Sequence, residues 1–130
     1  MSRLYNIAAA LLIFTSSAAA HELTPTYPVF KPSYIDDVVT TKMNLWNRRQ
    51  DVSYYEISVF DKDWSPILFA SPDKIIKTRY LEHKSFDIYI REIDIKKAVY
   101  VCTVSKTLKK DADNSVVTSK ICSRIKRDEP

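Results

Sequence analysis

The sequence predicts an all-β fold, a two-sheet sandwich of about seven strands, and three observations carry the prediction. Apolar and polar residues alternate in short runs rich in Val, Ile, Tyr, Phe and Thr over residues 26–125, the period of a strand with one buried face. Turn signals recur roughly every 8 to 12 residues, the spacing of sandwich strands. No stretch sustains a helical period, the one helical scrap being residues 93–98.

Residues 1–20 precede this pattern and read as a cleavable signal peptide. Arg3 gives a positive start, Ile7 to Phe14 a short apolar run, and Ala18, Ala19 and Ala20 a small-residue cleavage site before His21. A spanning helix needs about 20 apolar residues, so no stable membrane insertion is expected after cleavage. Residues 21–130 are then expected to form a single immunoglobulin-like domain, exported to the periplasm or secreted.

The first strand candidate is residues 26–30, placed at an edge because Pro25, Pro28 and Pro32 deny ladder donors. Residues 37–47 follow, with Val39, Thr41, Met43 and Leu45 on one face and Lys42 and Asn44 on the other. Residues 53–61 set Tyr55, Ile57 and Val59 against Glu56 and Ser58. Shorter pieces at 67–70 and 74–79 lead to a strand with Phe86, Ile88 and Ile90 inward and Asp87, Tyr89 and Arg91 outward.

The last two strands, residues 99–107 and 115–125, flank the polar turn KKDADN and form an antiparallel hairpin. A turn centred on Ala112 places Cys102 opposite Cys122. At a non-hydrogen-bonded pair the Cα atoms lie about 4.5 Å apart, close enough to bridge. In an exported chain these two cysteines are expected to form a structural disulfide, the other reading being two buried thiols on neighbouring strands. The spacing of a redox CxxC or a four-ligand zinc site is missing.

Composition excludes several functions. The chain has no glycine, whereas a P-loop, a dinucleotide fingerprint and a nucleophile elbow each need backbone free of a Cβ clash. Turns are expected to use Asn, Asp, Ser and Pro instead, as in Asp61-Lys62-Asp63, Ser71-Pro72-Asp73 and Asp111-Ala112-Asp113-Asn114. The net charge of +4 comes without a long basic run, so no nucleic-acid partner is expected. With only His21 and His83 as histidines and no triad in view, an enzyme is not expected. The paired acids Asp36-Asp37 and Asp61/Asp63 suit turn capping better than a calcium site, which needs about 6 to 8 oxygens.

Three segments carry a family resemblance: MNLWNRRQDVSYYEISVFD at 43–61, SPDKIIKTRYLEHKSFDIYIRE at 71–92 and AVYVCTVS at 98–105. Together they resemble the N-terminal domain of the PapD-type periplasmic pilus chaperones, over residues 29–105. A strand ends in an Asn, here Asn47; a second leads into Ser71-Pro72; and a polar turn precedes Phe86, Ile88 and Ile90. A long-looped branch of that family is similar in bridging its last two strands by a disulfide, as Cys102 and Cys122 would.

The resemblance implies a non-enzymatic module that binds an exported protein subunit or assembly component through an edge strand. Its candidate residues lie on the last strand: Val117, Ile121 and Ile125 on one face, broken by Ser119 and Ser123, with Val116 on the other. The same residues also suit an ordinary terminal strand packing inward. The family holds a subunit's terminal carboxylate with an Arg near the first strand and a Lys on the last. Lys120 is the loose match for the Lys, and no Arg stands near Tyr27 and Val29.

Two alternatives share the sandwich: a structural subunit of an exported or virion assembly, and a copper-binding periplasmic protein. In the latter, cleavage makes His21 the first residue, its amine and ring nitrogen chelating copper with His83 as a further ligand, as in exported copper carriers and copper oxygenases. No other cofactor is expected, and an incidental His21 is the plainer reading, since few soft or imidazole ligands remain. Tyr54, Phe60 and Trp64 oppose Tyr55, Ile57 and Val59 and form either an exposed patch for a protein or glycan or the packing of a second face.

Overall fold

The alternation resolves into two four-stranded antiparallel sheets in a computed structural model that describes residues 20–107 and 117–127. The signal-peptide reading of residues 1–19 and the KKDADN turn, Ser115 and Val116 lie outside the described residues. In the first sheet, β3 (Val38–Trp46) pairs along its whole length with β6 (His83–Arg91); its other side takes β1 (Glu22–Thr24) and β2 (Lys31–Pro32). The second sheet runs β5 (Ile75–Lys77), β4 (Tyr54–Asp61), β7 (Ala98–Lys106), β8 (Lys120–Arg124). This is the predicted immunoglobulin-like sandwich.

The core forms where the inward positions of the two sheets meet. Met43 and Leu45 of β3 and Ile88 and Ile90 of β6 face Tyr55, Ile57 and Val59 of β4 and Val101 of β7, all buried. Each fully buried apolar side chain of this kind contributes roughly 1.5 to 3 kcal/mol from water exclusion. Every inward assignment made for these strands from period-two alternation holds, because slipping a strand by one residue would expose its whole apolar set.

Four expectations need correction. The strand placed at 26–30 is a crossing between β1 and β2. Pro25 and Pro28 cannot donate, but Thr26 and Pro28 still offer carbonyls, which accept from the Arg124 and Lys126 N–H groups at 3.0 and 2.9 Å. The N-terminal segment thus leaves the first sheet, touches the second and returns. Residues 67–70 likewise form no strand: Pro66 bridges Phe60 in one sheet and Ala70 bridges Tyr89 in the other. The helical scrap is α1 (Glu92–Ile95), and Ala98 already belongs to β7.

The fourth concerns turns. Positive φ falls on Asp37 (61°), Trp64 (62°) and Leu81 (63°). Asp is an expected occupant of this region, while Trp and Leu pay a Cβ clash of order 1–2 kcal/mol. Trp64 is compensated locally: its N–H donates to the Asp61 carbonyl at 3.1 Å, and its ring stacks on Tyr100 at 4.2 Å. The Asp61 carboxylate accepts from the N–H groups of Asp63 and Ser65 at 2.8 and 2.9 Å, the capping role read for this acid.

Candidate partner-binding edge

β8 is the outer strand of its sheet, and its register decides what it exposes. Cys102 lies opposite Cys122, and the two form a disulfide with a Cα–Cα distance of 4.1 Å. The Ser105 N–H donates to the Ser119 carbonyl at 2.9 Å and the Ile125 N–H to the Val99 carbonyl at 2.9 Å. Residues 119, 121, 123 and 125 therefore bond inward to β7, which makes the cysteines a non-hydrogen-bonded pair, as the sequence register requires. The backbone groups of Lys120, Cys122, Arg124 and Lys126 point to the outer edge. Arg124 and Lys126 are taken by the N-terminal crossing, and the described residues supply no partner for the N–H groups of Lys120 and Cys122.

The side chains divide by the same parity. Ile125 is buried in the core, Ile121 is half-buried against it, and Ser123 is buried between them. Ile121 and Ile125 thus fill this chain's own core, the inward-packing reading of the strand, while Val117 stands 77% exposed. Lys120 faces the opposite, outer side, its ammonium 4.5 Å from the Phe60 ring centre and 4.6 Å from that of Trp64, within cation–π range. The aromatic patch is real but self-occupied: Phe60, Trp64 and Tyr100 pack on one another and on Lys120.

The approach to this edge is fixed by a polar cluster that is buried at His21, Asn47, Arg49, Tyr55 and Thr103 and half exposed at Asp51. Arg49, in the turn after β3, donates from Nε and Nη2 to the two Asp51 carboxylate oxygens at 2.9 and 2.6 Å. Its Nη1 reaches the Val117 carbonyl at 2.5 Å and Ser119 Oγ at 3.3 Å. His21 bonds Ser119 Oγ through Nδ1 at 3.0 Å and Thr103 Oγ1 through Nε2 at 2.8 Å, and packs 4.4 Å from the Tyr55 ring. Tyr55 in turn donates to Asn47 Oδ1 at 2.6 Å, and Asn47 Nδ2 donates to the Val52 carbonyl at 2.8 Å.

Electrostatics follow from that burial. Desolvation pushes the His21 pKa down from 6.5 to about 4, the bond to Thr103 opposing and the Arg49 charge reinforcing the shift, so the ring is neutral at pH 7. Burial pushes the Tyr55 hydroxyl up to about 12. The Arg49 guanidinium holds the Asp51 carboxyl below its ordinary value. Each member of the cluster keeps the charge state its partners require.

The sequence-predicted ligands do not converge. His21 points into the core, on the face of Leu23, whereas His83 is exposed on the outer face, stacked 5.1 Å from Trp46 and bonded to Asn44 at 3.1 Å. The two imidazoles lie on opposite faces of the first sheet. No group of three or more potential metal-ligating side chains occurs among the described residues, and no described helix is long and apolar enough to cross a membrane.

Sequence reasoning missed Arg49, Asp51 and Ser119. Arg49 and Val117 are 68 positions apart, and nothing local to Arg49-Gln50-Asp51 signals that contact.

No family model matches the chain, and no curated protein matches it by sequence. Ten chains of solved structures match it in fold. Among them is the crystal structure of the E. coli chaperone DraB, at a TM-score of 0.58 and 13% identity, covering 82% of this chain and 53% of that one. The chain spans about half the length of that structure, and the likeness shows a chaperone-like fold.

Proposed function

We propose that this chain is an exported, non-enzymatic protein-binding module that recognises its partner by strand addition along β8. The observation that carries the reading is the stretch of outward backbone at Lys120 and Cys122, unpaired among the described residues. It lies between a segment anchored by Arg49 and one covered by residues 26–28. An edge of this kind is a template for another strand. The partner is a protein subunit of an exported assembly. The likeness in fold to a chaperone and the disulfide, a bond of oxidising compartments, support that setting.

Lys120→Pro tests the reading, because it deletes an outward N–H that β7 does not use and proline is tolerated on edge strands. Lys120→Gln controls for the lost ammonium. Mild crosslinking in a periplasmic extract, followed by mass spectrometry, should give a stoichiometric partner with wild type and Lys120→Gln and lose it with Lys120→Pro, whose circular dichroism stays that of the wild type. Equal capture by all three refutes strand addition at this edge.

A further inference from the structure

Residues 117–119 are held more firmly than a strand entrance requires. The Ser119 N–H donates to Ser105 Oγ at 2.8 Å, its hydroxyl meets both His21 and Arg49, and the Val117 carbonyl accepts from Arg49. Arg49 is only 9% exposed. It projects from the turn after β3, an element of the other sheet, so its bonds tie the start of β8 across the sandwich. Only a guanidinium fits these roles together. Nε and Nη2 form a two-pronged bond to Asp51, leaving Nη1 for the backbone, whereas an ammonium is a point charge without that fork.

We propose that Arg49, aligned by Asp51, is a latch that keeps residues 117–119 docked and so holds the Lys120–Cys122 edge extended before a partner arrives. The inference rests on reading β8 as the binding edge and gives Arg49 the part of a positioning residue. Pre-ordering an edge removes the entropy loss that a partner would otherwise meet on binding. The disulfide fixes the strand at Cys122, but its upstream end has no covalent tie among the described residues, and the latch supplies a non-covalent one. The N-terminal crossing fixes the downstream end. Between these ties lies the stretch at Lys120 and Cys122 whose outward N–H groups have no partner among the described residues, with β1 packed nearby.

Residue-resolved amide hydrogen exchange by NMR on the full chain tests the latch without any partner. Arg49→Lys keeps the charge and loses the fork; Asp51→Asn removes the carboxylate that aligns it. Both should speed exchange at Ser105, Ser119 and Ile121 at least tenfold, with Met43, Ile57 and Ile88 unchanged. Exchange at Ser119 and Ile121 as slow as in wild type overturns the latch. So does acceleration spread equally over the core strands, since that marks general destabilisation. The two readings fail separately: a latch confirmed by exchange, with partner capture surviving Lys120→Pro, sinks the edge reading and with it the positioning role of Arg49, and leaves only the anchoring of residues 117–119.

Discussion

His21 gives the pH dependence of this fold a specific origin. Its ring is 2% exposed, and its pKa stands at about 4 against 6.5 for the free side chain. Because the folded value is the lower one, the unfolded chain binds the extra proton as pH falls. The stability His21 confers is complete above the unfolded pKa and drains away as pH drops towards the folded one. Between about pH 7.5 and pH 5 the linkage relation gives a loss of about 2 kcal/mol from this ring alone. Asp51 acts in the same direction but later: its carboxyl is held below 3.8 by the bond to Arg49, so its contribution is intact until the solution is more acidic still. His21→Gln removes the titration while leaving an amide to meet Ser119 and Thr103. Urea unfolding followed by far-ultraviolet circular dichroism at the two pH values should show wild type losing about 2 kcal/mol more than the variant, a midpoint shift of about 1 M for a domain of this size. Equal losses in the two proteins would refute the assignment of a neutral, buried imidazole.

The disulfide closes a segment of 20 residues, for which the chain-entropy relation gives about 3 kcal/mol. The Cys102→Ala/Cys122→Ala variant should lose about that much in urea unfolding, and a loss under about 1 kcal/mol would show that the hairpin is already ordered in the unfolded chain. Leu81, half exposed at φ 63°, takes a conformation that Asn tolerates better. Leu81→Asn should stabilise the domain by about 0.5 to 1 kcal/mol, measured as a rise in melting temperature, and a fall would mean that the Leu side chain contributes packing worth more than its strain.

What was legible in the sequence was whatever a local period or a short register fixes. Tyr55, Ile57 and Val59 face the core because they alternate with polar residues in a strand with one buried face. Cys102 meets Cys122 because an antiparallel pair keeps one register along its length. What was not legible depends on non-local choices. The N-terminal segment alternates between sheets because Pro25 and Pro28 cannot donate, and tertiary packing decides that the Thr26 and Pro28 carbonyls meet the N–H groups of Arg124 and Lys126. Absence of glycine gave no hint that Trp64 and Leu81 would take the left-handed turns.

The last strand shows why function was harder to read than fold. Its alternation marks Ile121 and Ile125 as apolar on one face, and a donated strand and a core strand share that pattern. Burial separates them only in part: Ile125 is buried in this chain's own interior, and Ile121 is partly buried against it. What remains for a partner is the backbone of the opposite parity, which carries no side-chain signature at all. The residues that hold it ready, Arg49 and Asp51, sit in a turn on the far sheet. Hydrogen-bonding capacity along an edge is therefore invisible to hydrophobic periodicity, and it becomes a candidate site only once the fold places the neighbouring strands and the gap between Arg124 and Ser119.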